Sequence, residues 1–145
     1  MKYIVITTRG LEEIAQQDIL NNLSEVEIIE TSYRKIIFSY EGMTDNILQI
    51  RSIEDAFLFV GKLDGIGHAR DDLPNLVRKV SALDFLTAKD VIQTLRTENI
   101  SEFSISSSSV GKRNYSYIEV KDRLSSVLES KLSLKYENEE HKQFD

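Results

Sequence analysis

The spacing of apolar residues changes several times along the chain, and each change marks an element. Residues 2–7 gather the β-formers Tyr3, Ile4, Val5 and Ile6. Beyond Thr8, Arg9 and Gly10 the apolar positions become Leu11, Ile14, Ala15, Ile19 and Leu23, the spacing of one helix face. This predicts strand, tight turn and helix. Residues 26–31 and 35–40 cluster β-branched and aromatic side chains on either side of Ser32-Tyr33-Arg34, which predicts a hairpin. Gly42-Met43 breaks the pattern. Residues 44–52, with Ile47, Leu48 and Ile50, read as a short helix, and 55–63, centred on Ala56-Phe57-Leu58-Phe59-Val60, as a buried strand.

The resulting order, βαββαβ, is the split-βαβ pattern of a ferredoxin-like domain, assigned to residues 1–64. Gly65, Gly67 and a cluster of charge precede Pro74, the single proline, so 65–72 read as a linker and 73–145 as a second domain. There Leu73, Leu76, Val77, Val80 and Leu83 keep a helical period, and Thr87-x-x-Asp90 resembles a capping box opening a second helix through Val91, Ile92 and Leu95. Residues 103–107 read as a strand with Phe103 and Ile105 on one face, followed by a loop over 108–114. Ser116-x-x-Glu119 is a capping box for a long helix carrying Ile118, Leu124, Val127, Leu128 and Leu132, and 134–136 begin a further strand. The fold class is therefore α+β.

Charge changes the picture in one place. The net charge of -6 runs against nucleic-acid binding, which usually gathers lysine and arginine on one face. Residues 1–64 hold 6 basic and 11 acidic side chains, whereas 65–145 hold 12 and 13, so the acid is concentrated in the first half. Within 111–135, Lys112, Arg113, Lys121, Arg123, Lys131 and Lys135 outnumber Glu119, Asp122 and Glu129. A basic segment survives inside an acidic chain. The absence of cysteine removes thiolate chemistry, and the apolar stretch after Lys2 is too short for a secretory or membrane segment, so a soluble, cytoplasmic protein is expected.

Motifs for chemistry are few. Gly65-Ile66-Gly67 lacks the third glycine and the strand-to-helix setting of a nucleotide fingerprint, and reads as a hinge. His68 with Asp71 and Asp72 offers hard ligands, but one imidazole beside two adjacent carboxylates more often caps a helix or faces solvent. His141 with Glu139 and Glu140 reads as a solvated tail. Ser106–Ser109 has no histidine nearby to act as base. With one proline, flanked by Leu73 and Asn75, an Asn/Asp-Pro-Pro-aromatic methylase motif is excluded from this chain. The opening Thr7-Thr8-Arg9-Gly10-Leu11 does not match the phosphate loop of acylphosphatases. There remains Val110-Gly111-Lys112-Arg113-Asn114-Tyr115-Ser116. There, two cations can pair with phosphates, the following helix can offer N–H groups to an anion, and Tyr115 can stack on an unpaired base or staple the helix.

Ile-Val-Ile-Thr-Thr-Arg-Gly-Leu-Glu-Glu-Ile over 4–14 resembles the opening strand, turn and helix of THUMP-containing RNA methyltransferases. Lys35-Ile36-Ile37-Phe38 is similar to their third strand. Leu48-Gln49-Ile50-Arg51-Ser52-Ile53-Glu54-Asp55-Ala56 is similar to the helix and strand closing their ferredoxin-like domain. Residues 103–133 resemble the THUMP signature of strand, basic loop, aromatic and long helix. The resemblance implies a ferredoxin-like domain followed by an α/β THUMP domain that lacks its last strands. It implies docking of tRNA or rRNA for S-adenosyl-L-methionine (SAM)-dependent methylation of guanosine N2, with catalysis and SAM in a linked domain outside this chain. By position, Lys112, Arg113, Asn114 and Tyr115 match the RNA-binding loop, and Arg123 a flanking contact. Ser106–Ser109 stands where many members place arginine, and Ser125 where a glycine is common. A 4-thiouridine synthetase would use a similar module, although the Thr-Arg-Gly-Leu-Glu opening favours the methyltransferases. A protein-interaction domain without RNA is the reading from another class, which the net charge permits.

Overall fold

The computed structural model describes residues 1–107 and 112–138. Strand β1 (Lys2–Thr7), helix α1 (Glu12–Asn22), strands β2 (Glu27–Ser32) and β3 (Lys35–Ser39), helix α2 (Thr44–Leu48) and strand β4 (Ile53–Leu58) follow one another. The strands form one antiparallel sheet in the order β2-β3-β1-β4. Alternation along β1 turns Tyr3, Val5 and Thr7 into the core, where they meet Ala15 and Ile19 of α1, Ile36 and Phe38 of β3, and Ile47 of α2. Tyr3 and Phe38 are register partners whose rings stack at 5.8 Å. The hairpin turns at Arg34, with φ of 60°.

Two elements differ from expectation. Helix α2 stops at Leu48 because Gln49 and Ile50 bond to the carbonyls of Asn46 and Ile47, tightening the chain into a turn instead of extending it to residue 52. Strand β4 covers 53–58 and is not buried on both faces. It pairs only with β1, at the sheet edge, so Ala56 and Leu58 pack on the core while Phe57 is 51% exposed.

The chain forms two compact units, Met1–Val60 and Gly61–Asp145. In the second, a 3-10 turn (Arg70–Asp72) leads into α3 (Leu73–Ser81), then α4 (Phe85–Thr94), β5 (Glu102–Phe103), α5 (Tyr117–Leu132) and β6 (Lys135–Tyr136). Residues expected as a linker are thus hydrogen-bonded within this unit. Leu124, Leu128 and Leu132 of α5 form its core with Val77, Val80, Phe85, Phe103, Ile105 and Leu134. Strands β5 and β6 pair in parallel and are joined through α5; Ser133, at φ of 52°, turns the chain out of the helix. The expected strand over 103–107 narrows to two residues, although Phe103 and Ile105 both pack on the core as its alternation implied. Helix α4 begins before Thr87: its cap is Asp84, whose carboxylate accepts the Thr87 N–H at 3.1 Å, so Thr87-x-x-Asp90 lies inside the helix.

Candidate functional site

Residues 112–115 are tied to a segment far away in sequence. The Asn114 N–H donates to His68 O at 2.8 Å, and His68 Nδ1 lies 2.9 Å from Lys112 O. The Tyr115 hydroxyl donates to Gly67 O at 3.1 Å and accepts from Arg113 Nη1 at 2.7 Å, with the guanidinium carbon 5.7 Å from the ring centre. A Cβ at Gly67 would collide with the Asp72 carboxylate, which accepts the Ala69 N–H at 3.0 Å, so a larger residue there would have to displace that side chain. The close approach that a nucleotide loop would offer to a phosphate is occupied at Gly67 by the chain's own side chain.

This knot buries Tyr115. The residue is 7% exposed and hydrogen-bonded at its tip, so its ring has little surface to offer a base. It packs at the base of the basic loop, with its hydroxyl bonded to the Gly67 carbonyl. Lys112, Arg113 and Asn114 are exposed beside it. The fixed backbone under Lys112 and Arg113 lowers the entropy lost when either cation engages an anion.

The start of α5 is also occupied. Ser116 Oγ accepts the Glu119 N–H at 3.2 Å, and Glu119 accepts the Ser116 N–H at 2.9 Å. Arg70 Nη2 donates to the other Glu119 oxygen at 2.9 Å. The Ser116 backbone N–H foremost, with Arg70 adding to it, holds the Glu119 carboxyl below the usual glutamate range. An incoming phosphate at this helix end would meet the Glu119 carboxylate. Arg123 lies one turn beyond Glu119, on the exposed side of α5.

The structure therefore joins Lys112, Arg113, Asn114 and Tyr115 into one arrangement, with Arg123 on a separate element. It adds His68 and Arg70, which the sequence reading assigned to a linker. Their proximity depends on pairings across 44 to 49 residues, for which the local sequence carries no signal. Among the described residues no group of three histidine, aspartate or glutamate side chains is placed to hold a metal. No helix among them is long and apolar enough to cross a membrane. Ser106 and Ser107 are exposed, whereas Ser108, Ser109, Val110, Gly111, Glu139, Glu140, His141 and Phe144 lie outside the described residues. A polar groove of about 770 Å³ along 95–104 and an apolar one of about 480 Å³ between α4, β5 and α5 take in none of the basic-loop residues.

No family model matches the chain, and no curated protein matches it significantly. Solved structures do match its fold. A predicted N6-adenine-specific DNA methylase from Listeria monocytogenes shares 16% identity, with a TM-score of 0.62 over 91% of this chain and 31% of its own. TrmN from Thermus thermophilus shares 16% identity at a TM-score of 0.60, over 95% of this chain and 39% of its own. A possible methylase from Clostridium difficile shares 18% identity at 0.59, over 94% and 35%. The chain spans between three and four tenths of these structures, and at such identities the likeness is one of fold.

Proposed function

We propose that this chain is the RNA-docking part of a SAM-dependent RNA methyltransferase. In this reading the first unit is a ferredoxin-like domain and the second a THUMP domain. Together they hold a tRNA or rRNA so that a guanosine reaches a catalytic domain elsewhere in a longer protein. The observation that carries the reading is the fold likeness to methylase structures over more than nine tenths of this chain but well under half of theirs. One of those structures is described as a predicted N6-adenine-specific DNA methylase. The choice of RNA, and of guanosine N2, rests on the sequence resemblance and on the preordered Lys112-Arg113 loop. SAM would be bound by the catalytic domain; in this chain Gly67 packs against Asp72 and leaves no glycine cradle there.

The chemistry asked of the described residues is docking alone. Lys112 and Arg113 contact phosphates, the Tyr115 anchor holds their backbone, and Arg123 adds a flanking contact. The test is anisotropy of labelled bulk tRNA titrated with the chain at several salt concentrations. Three phosphate contacts give a slope of log K against log salt of roughly -2. Replacing Lys112 and Arg113 together by glutamate abolishes binding while the circular dichroism spectrum stays unchanged; the unfolding midpoint falls slightly, because Arg113 no longer donates to the Tyr115 hydroxyl. Undiminished affinity in that variant removes the loop from the interface, and no binding by the unaltered chain at low salt refutes the reading.

A further inference from the structure

The hairpin between β2 and β3 is held at its tip by Arg34. Its N–H donates to Glu12 Oε1 at 3.0 Å, its Nε to Thr7 O at 3.2 Å and its Nη2 to Glu54 Oε2 at 2.8 Å, while its carbonyl accepts the Thr7 N–H at 3.0 Å. Glu54 also accepts the Thr8 hydroxyl at 2.7 Å. A φ of 60° favours glycine or asparagine in such a turn, and these bonds offset that cost for arginine.

The neighbouring Tyr33 has no comparable structural use. It is 66% exposed, so its burial contributes little, and its ring meets Arg9 of the β1–α1 loop, whose guanidinium carbon lies 5.9 Å from the ring centre. Arg9 is itself exposed. The bonds of Arg34 to Thr7, Glu12 and Glu54 fix the two backbones from which this pair projects. With one face towards a guanidinium and most of its surface in solvent, the ring has room for a second planar partner.

We propose that Tyr33 is a second RNA contact, in the first unit, stacking on an unpaired base while Arg9 backs the ring from the other side. This rests on the RNA-docking reading above and extends it beyond the basic loop. Charge decides between a stacking contact and a phosphate contact here. Arg34 is paired with Glu54, Glu12 and Glu13 follow Arg9 closely, and residues 1–64 hold more acid than base, so no surplus of positive charge gathers at this end of the sheet. Stacking needs none, because every base has a π-face to set against an aromatic ring. A paired base keeps its faces inside the duplex, so the partner is a loop, a bulge or an end.

The experiment is anisotropy of labelled bulk tRNA with the full chain at several salt concentrations, for the unaltered protein, Tyr33→Phe and Tyr33→Ala, each checked for an unchanged circular dichroism spectrum. Tyr33→Ala binds roughly fivefold or more weakly, the scale of one lost base stack, and Tyr33→Phe stays within about twofold of the unaltered protein. The slope of log K against log salt is the same in all three, since no phosphate contact is removed. Equal losses in the two variants assign the effect to the hydroxyl and overturn the proposal, and a shallower slope in Tyr33→Ala overturns it by showing that phosphate contacts were lost. Undiminished affinity in Tyr33→Ala, where replacing Lys112 and Arg113 still abolishes binding, overturns it with the docking reading intact. No binding by the unaltered chain at low salt overturns both.

Discussion

The ammonium of Lys131, on α5, donates to the carbonyl of Leu83 at 2.6 Å and equally to that of Ser81, at the end of α3. Carbonyls at a helix C-terminus lack partners within the helix, and a cation is the favourable group to meet them. Lys89 of α4 does the same for Leu132 O, at the end of α5, at 2.8 Å. The two lysines tie three helices together at their C-terminal ends, Lys131 sharing the Leu83 carbonyl with the Phe85 N–H. They also show why positive charge counted along the sequence overstates what is available to an external anion: Lys131 is half-buried and bonded within the fold.

Lys131→Met keeps an unbranched apolar side chain and removes both hydrogen bonds and the ammonium 5.9 Å from the Phe85 ring centre. It should lower the unfolding free energy by about 1–2 kcal/mol, the scale of a lost charged hydrogen bond that leaves carbonyls partly desolvated. Urea unfolding followed by circular dichroism measures it, and tRNA affinity at fixed salt should be unchanged within twofold.

Tyr115→Phe preserves the buried ring and deletes the hydroxyl shared by Arg113 and Gly67. A loss of about 1 kcal/mol is expected, with the Gly67 carbonyl left unpaired. RNA affinity should fall modestly because the loop loses its tie to Gly67 while keeping those to His68. If Tyr115 stacked on a base, phenylalanine would preserve affinity in full, so titrations of the two proteins at equal salt distinguish an anchor from a stacking platform.

The local parts of this architecture were legible and the long-range parts were not. Ser116 and Glu119 announced the start of α5 because a capping box is closed within four residues, and the first unit's βαββαβ order followed from changes of period. Asp84 was missed because Thr87 and Asp90 offered a competing cap of the same kind only three residues later. Phe57 looked buried because its run is apolar throughout; that its strand lies at an edge is a matter of pairing order. The fate of Tyr115 and the arrival of His68 beside Lys112 depend on where a segment more than forty residues earlier comes to rest.

Gly67→Ala tests that long-range tie from the other side. The added Cβ displaces the Asp72 carboxylate, breaks its bond to the Ala69 N–H and shifts the segment bearing His68. A destabilisation of about 1–2 kcal/mol is expected, together with weaker tRNA binding. Combining it with Asp72→Ala should recover part of the lost stability, since the side chain that must move is then absent; a double-mutant cycle on the urea midpoints reads the coupling.

Acid should loosen both units by the same mechanism. In the first unit, Glu12 is held below the ordinary glutamate value of 4.5 chiefly by its own backbone N–H and then by that of Arg34, and Glu54 chiefly by the Thr8 hydroxyl. In the second, Asp84 is lowered chiefly by Thr87, and Glu119 chiefly by the Ser116 N–H. A carboxyl whose folded pKa is depressed favours the folded state at pH above its unfolded value, and that contribution disappears as pH falls through the folded value. Stability set by these groups should therefore be level from neutrality down to the ordinary carboxylate range and decline below it. Glu119→Gln keeps an acceptor for the Ser116 N–H but cannot titrate, so the acid dependence of the second unit should flatten while its stability at neutral pH falls slightly. Urea midpoints collected from about pH 3.5 to 7 show this as a shallower slope, whereas an unchanged slope would assign the acid sensitivity to other carboxylates.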